Sequence, residues 1–189
     1  MFEDFIKREN KIFEILEEFS KNKLHFIIIG GYAVSTYKHR FSVDADIIIK
    51  EEDKEKFEEI LKKNKFIKTT TKKLDSEHAK EFIRYQKKDK LTVDIDLLVN
   101  GVASRTTNTS YSIQELEEFS QKRKIIGTEK EITALVPDRE LLIVLKLHSG
   151  RLTDFRDIVA LSKNIDINII NKYIWRGKKD LVKRNILRL

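Results

Sequence analysis

Phe2, Phe5, Ile6, Ile12, Phe13, Leu16 and Phe19 recur at three- and four-residue steps with charges between them, which predicts an amphipathic helix lying on a sheet. The apolar, β-branched run at residues 26–29 reads as a buried strand. It stops at Gly30-Gly31, where the backbone can turn sharply and approach a ligand with no Cβ in the way. A short helix is expected from about residue 33 to 38, its first backbone N–H groups aimed at whatever the glycines admit, a geometry suited to phosphate. Asp44 and Asp46 open a second strand that continues into Ile47, Ile48 and Ile49. Residues 51–63 return to helical spacing through Phe57, Ile60 and Leu61, with acids in the first turn that suit the helix dipole. Residues 66–72 alternate and are threonine-rich. Residues 80–86 alternate too, with Phe82 and Arg84 on one face and Ile83 and Tyr85 on the other, so both stretches predict strands. Lys87-Lys88-Asp89-Lys90 then makes a hairpin turn into a strand at residues 91–99.

Residues 100–110 are polar, with Gly101, Arg105 and three threonines, and read as a loop able to border a nucleotide or its acceptor. Ser112 and Glu115 form a capping box for one or two helical turns over residues 112–119, and residues 122–126 and 131–135 are short strands. Pro137 opens a helix at its first turn, where a missing N–H costs nothing, and Asp138 and Glu140 favour that end. Residues 141–147 are apolar on nearly every face except at Lys146. A buried lysine needs a partner, and Ser149 and Gly150 are small enough to leave a ligand room beside it; the alternative is that Lys146 snorkels to the surface. Residues 151–163 set Asp154, Arg156 and Asp157 against Phe155, Ile158, Val159 and Leu161. The remainder predicts two short helices with Trp175 and a basic face of Lys178, Lys179, Lys183, Arg184 and Arg188, either an RNA contact or a solvated surface.

The acids carry the chemistry. Positions two apart on a strand share a face, so Asp44 and Asp46 point the same way and hold two like charges close together. That arrangement is costly unless a cation sits between them, and oxygen-only ligation suits Mg²⁺. Asp94 and Asp96, inside the apolar run of residues 91–99, offer a third carboxylate that would complete a two-metal site. Either acid pair could instead edge a solvated strand, but both sit in strongly apolar runs, where an unpaired charge is expensive.

These residues resemble the nucleotidyltransferase superfamily with the DNA polymerase β-like fold. Its signature is an apolar strand, Gly-Gly or Gly-Ser, a spacer of about a dozen residues, Asp-x-Asp, and a later strand carboxylate. Gly30, Gly31, Asp44, Asp46 and the Asp94/Asp96 strand match it. Gly-Gly-Tyr-Ala-Val followed by Arg40-Phe41-Ser42-Val43-Asp44-Ala45-Asp46 is most similar to the minimal, AbiEii toxin-like branch of toxin–antitoxin systems. In that branch a helical lysine precedes two aspartates three apart, as Lys146, Asp154 and Asp157 do, though Thr153 stands where a lysine is usual. The resemblance implies an α+β fold: a mixed β-sheet flanked by helices, with a catalytic core over residues 1–136 and a C-terminal helical region over 137–189 packed on it as one compact unit.

It also implies Mg-dependent transfer of a nucleotidyl group from an NTP to an acceptor hydroxyl. Asp44, Asp46 and Asp96 would hold metal. Asp96 is preferred to Asp94 because the family places this acid before a Leu-Leu type pair. Lys146 would neutralise charge on the triphosphate, Gly30 and Gly31 would cradle the β- and γ-phosphates, and Arg40 and Ser42 would support either the phosphates or the aspartates. Asp154 and Asp157 join the nucleotide-binding set, Asp157 as a group that orients Lys146 or Arg156. The implied acceptor is tRNA or another RNA, alternatively a protein to be AMPylated, with a cognate antitoxin or toxin as partner. A catalytically silent nucleotide- or RNA-binding module of the same fold is the other class.

Composition narrows this picture. A net charge of +7 over 189 residues favours a polyanionic partner, although lysines also solvate surfaces that bind nothing. No cysteine is present, which excludes disulfides, thiolate zinc sites and a cysteine nucleophile. His25, His39, His78 and His148 show no metal-ligand spacing. No apolar run approaches membrane-span length and the N-terminus lacks a signal-peptide core, so a cytoplasmic protein is expected.

Overall fold

The computed structural model describes residues 2–186, so Arg188 of the expected basic face lies outside the described residues. The chain runs α1 (Phe2–Lys21), β1 (Phe26–Ile29), α2 (Gly30–Val34), β2 (Asp44–Ile49), a 3-10 turn (Glu51–Asp53), α3 (Lys54–Lys63), β3 (Ile67–Lys73), β4 (Glu81–Lys87) and β5 (Val93–Val99). Then come β6 (Gly101–Ser104), β7 (Thr109–Ser112), α4 (Ile113–Glu118), β8 (Ser120–Ile126), β9 (Glu131–Pro137), α5 (Arg139–Ser149), α6 (Leu152–Leu161), α7 (Ile167–Tyr173) and α8 (Lys179–Ile186). Seven strands form one mixed sheet in the order β3-β4-β5-β2-β1-β9-β8, and β6 pairs with β7 apart from it. No helix among the described residues is long and apolar enough to cross a membrane.

Three apolar strands at the centre of the sheet fix its register. Ile27, Ile28, Ile47, Ile48, Ile95 and Leu97 are fully buried, each contributing about 1.5–3 kcal/mol, and a one-residue slip of β2 would turn its acids into the core. β2 lies parallel to β5, with Asp44 opposite Asp94 and Asp46 opposite Asp96. β1 is antiparallel to β2, with Ile29 opposite Asp46. The β4–β5 hairpin puts Arg84 opposite Asp96. Ile29, Asp46, Asp96 and Arg84 therefore stand in one row across four strands. At the edge, β3 is largely exposed and carries Lys68, Lys72 and Lys73, charges that discourage further strand pairing.

Several local expectations shift. The short helix begins at Gly30 itself and ends at Val34, because Gly30 takes the left-handed φ of +67° that lets the chain turn directly out of β1. Residues 100–110 are not a plain loop: β6 and β7 form a hairpin whose four-residue strands are too short to announce themselves. Pro137 closes β9 instead of opening a helix, and α5 starts after Asp138. The Ser112–Glu115 capping box is present in full.

α5 is buried along most of its length and ends at Gly150, whose φ of +67° and N–H bond to the Lys146 carbonyl make it a helix cap. The β6–β7 hairpin is tied to α5 by a buried polar chain. Thr107 Oγ1 and Nδ1 of His148 lie 2.7 Å apart, Nε2 of His148 and the Tyr111 hydroxyl 2.9 Å, and that hydroxyl donates to the Tyr173 carbonyl at 3.1 Å. One assignment satisfies every group: Thr107 donates to Nδ1, Nε2–H donates to Tyr111, and the imidazole is neutral. Desolvation agrees, holding His148 down at about 4. α8 is tied to α5, with Asn185 donating to the Leu147 carbonyl at 3.0 Å.

Candidate active site

Asp44, Asp46 and Asp96 each bring a carboxylate oxygen within 4.8 Å of the others. Parallel pairing of β2 and β5 causes this, since it sets Asp46 beside Asp96 on the face that Asp44 already shares. Ser42 Oγ donates to Asp44 Oδ1 at 3.4 Å. Asp46 has no hydrogen bond or ion pair among the described residues, although Lys146 and Arg151 act on it at longer range. Burial, then the charges of Asp44 and Asp96, push its carboxyl up to about 7. Burial also raises Asp96, against the opposing pull of Arg84. A half-buried carboxylate without a donor, crowded by two others, suits a hard divalent cation in its all-oxygen donor set. Asp94 stands outside the trio and accepts from Gln86 at 2.9 Å.

Both glycines are required by the side chains they face. A Cβ on Gly30 would lie 2.0 Å from Asp46 Oδ2, and one on Gly31 would lie 2.4 Å from Ser42 Oγ. The diglycine thus lets the acid of β2 and the serine before it close onto the turn.

Lys146 is buried and does not snorkel. Its ammonium donates to Asp157 Oδ2 at 2.6 Å and to Asp154 Oδ1 at 3.4 Å. Asp157 also accepts from Arg40, and Asp154 from Arg151 Nε at 3.1 Å. Arg40, Asp157, Lys146, Asp154 and Arg151 form a chain of alternating charge that joins the segment after α2 to α5 and α6. Two of the three ammonium protons are used, and Lys146 shares a cavity wall with Asp46. Arg40 and Asp157 therefore meet each other instead of the carboxylate trio, and Asp157 orients Lys146 and Arg40, not Arg156.

The cavity beside Asp46 has a volume of about 400 Å³, with Gly30, Lys146, Ser149 and Arg151 around Asp46 and with Leu142 and Leu145 on an apolar wall. A second hollow of about 830 Å³ adjoins it, sharing Leu98, Ala103, Ser104 and Arg105.

Two charged residues at the site had not been singled out from sequence. Arg151, at the start of α6, lines the cavity. Arg84 forks Asp96, Nε to Oδ1 at 2.7 Å and Nη2 to Oδ2 at 2.6 Å, and Nη2 reaches Asp44 Oδ2 at 3.2 Å. Local counting does not find Arg84: outward from a turn at 87–90 it falls opposite Val93, whereas the longer turn that forms puts Lys87 opposite Val93 and Arg84 opposite Asp96.

A mixed sheet with a glycine turn leading out of one strand and acids converging from two others defines a nucleotidyltransferase fold. The chain belongs to the family described as Nucleotidyltransferase of unknown function (DUF6036), which matches residues 7–185, and it is a nucleotidyltransferase enzyme. Among solved structures it is similar to ANT(2'')-Ia in complex with adenylyl-2''-tobramycin, with a TM-score of 0.62 at 12% identity over 93% of this chain and 97% of that one. It is similar also to the lincosamide antibiotic adenylyltransferase LnuA bound to lincomycin, with a TM-score of 0.56 at 19% identity over 83% and 98%. At such identities the likeness is one of fold. No curated protein sequence matches the chain.

Proposed function

We propose that the protein transfers a nucleotidyl group from an NTP to the hydroxyl of an RNA acceptor end, such as that of tRNA, with Mg²⁺ at the acidic cluster. The observation that carries the reading is Asp46: half-buried, without a donor, crowded by Asp44 and Asp96, and open to a cavity it shares with Lys146. Asp44 and Asp46 would hold the ion, with Asp96 contributing to the same acidic cluster. A divalent ion there supplies Lewis-acid polarisation of the reacting phosphate and lowers the pKa of the attacking hydroxyl. Gly30 and Gly31 would present bare backbone to the β- and γ-phosphates. The free proton of Lys146 would meet charge developing on the triphosphate. Ser42 steadies Asp44, while Arg40, Asp154 and Asp157 act one step back by fixing Lys146.

The net charge of +7 and the exposed Arg105 and Arg151 at the cavity mouth support the RNA acceptor. A toxin–antitoxin-like setting, with a cognate protein partner, fits that reading. A second reading, a small hydroxylated acceptor, is favoured by the adjoining hollow and by the antibiotic ligands that the two related structures carry. The test is incubation with Mg²⁺ and each labelled NTP, in turn with total RNA, a pool of small polyols and aminoglycosides, and cell protein. RNA labelling that Asp44→Ala and Asp46→Ala abolish supports the proposal, and label only on small molecules or on protein replaces the acceptor. Equal labelling by wild type and both variants overturns the mechanism.

A further inference from the structure

We propose that Arg84 is a resident cation of the acidic cluster, occupying its Asp44–Asp96 edge so that the protein holds one divalent ion, at Asp46, instead of two. The inference rests on the cluster being a metal site, as argued under the proposed function, and goes beyond it in fixing how many ions that site takes.

The geometry is specific. Both oxygens of Asp96 receive the two prongs of the guanidinium, at 2.7 and 2.6 Å, and Asp44 Oδ2 receives a third bond at 3.2 Å. Nη1 stands 3.7 Å from Asp94 Oδ2, so the group touches every carboxylate of the two strands except Asp46. Bidentate, charge-assisted bonds of this kind are about twice as strong as neutral ones. The Phe82 ring, 5.8 Å from the guanidinium carbon, helps hold the fork in place, and β4–β5 pairing leaves it little freedom to withdraw.

An ion bridging Asp44 and Asp96 would need an oxygen from each at about 2.0–2.1 Å for Mg²⁺. Both oxygens of Asp96 and Oδ2 of Asp44 already accept from Arg84, whose positive charge stands on that edge and repels a second cation there. Asp44 Oδ1 and both oxygens of Asp46 remain, the former bonded only to Ser42 at 3.4 Å. Charge counting agrees: the three clustered carboxylates and the guanidinium leave two negative charges, which one divalent ion cancels.

The experiment is titration of the full chain with Mn²⁺ in the absence of nucleotide, read by calorimetry and by electron paramagnetic resonance. Wild type is expected to bind one ion with an uncoupled spectrum. Arg84→Gln is expected to bind two, or the first at least tenfold more tightly, with exchange coupling when the pair lies about 3.5–4 Å apart. Arg84→Lys keeps the charge without the fork and should fall between them, which preserves the test if the glutamine variant does not fold. Two coupled ions in wild type overturn the proposal while leaving the metal site intact. Binding of no Mn²⁺ by any of the three proteins overturns the metal reading, and this inference with it.

Discussion

Replacing Asp46 with asparagine should stabilise the metal-free protein while abolishing its activity. The side chain keeps its shape, so the change is chiefly the removal of a charge that the fold disfavours. In the folded protein the Asp46 carboxyl is raised to about 7 from 3.8, first because the fold desolvates it and then because Asp44 and Asp96 repel it. A carboxyl raised by folding binds its proton more tightly in the native state. Its charge therefore costs nothing below 3.8, and the cost grows with pH until it is complete above about 7. At about 1.4 kcal/mol per pH unit, the full penalty is about 4 kcal/mol. For a chain of 189 residues that corresponds to a rise of about 8 °C or more in Tm.

The assay is urea denaturation of wild type and Asp46→Asn at pH 4.5, 6 and 8 with EDTA, then at pH 8 with Mg²⁺. The variant's advantage should be small at pH 4.5 and largest at pH 8. Mg²⁺ at a hundred times its Kd should restore about 2.7 kcal/mol to wild type and little to the variant. An Asp46→Asn protein no more stable than wild type at pH 8, or an advantage that does not change with pH, would refute the electrostatic account of the cluster.

His148, held at about 4 against the usual 6.5 by desolvation, should give the opposite trend. Its contribution is complete above 6.5 and is lost as pH falls toward 4, up to about 3 kcal/mol, so in denaturation curves His148→Gln should show a flatter loss between pH 7 and 4.5 than wild type. Lys146→Met removes the buried cation that Asp154 and Asp157 share and leaves each acid with a single arginine, with an expected cost of about 3 kcal/mol by chemical denaturation. Gly30→Ala puts a Cβ 2.0 Å from Asp46 Oδ2 at a φ of +67°; backbone strain of about 1–2 kcal/mol should accompany an activity loss of about 10²-fold in steady-state assays.

The central strands were legible because isoleucine-rich runs broken by Gly30-Gly31 and by Asp-x-Asp leave few other registers. The pairing of Asp46 with Asp96 follows once β2 and β5 are neighbours, a relation between distant segments that no local pattern states. Arg84 was hidden by its own strand: on a polar hairpin rich in lysine and threonine, an alternating arginine reads as a solvated face. The charge chain from Arg40 to Arg151 was legible only in part, since Lys146, Asp154 and Asp157 share neighbouring helices while Arg40 arrives from 117 residues away. Thr107, Tyr111 and His148 gave no signal, because their bonds exist only after β6, β7 and α5 have packed.

The space above Gly30 is filled by the acid it serves, and this has a consequence for the history of such chains. A methyl group at position 30 and a carboxylate at position 46 compete for one volume. Among descendants of a common ancestor the two should exclude each other, so lineages that have abandoned catalysis are free to gain alanine or serine at 30 once the acid at 46 has gone. Functional copies that carry both would show that the turn has been rebuilt.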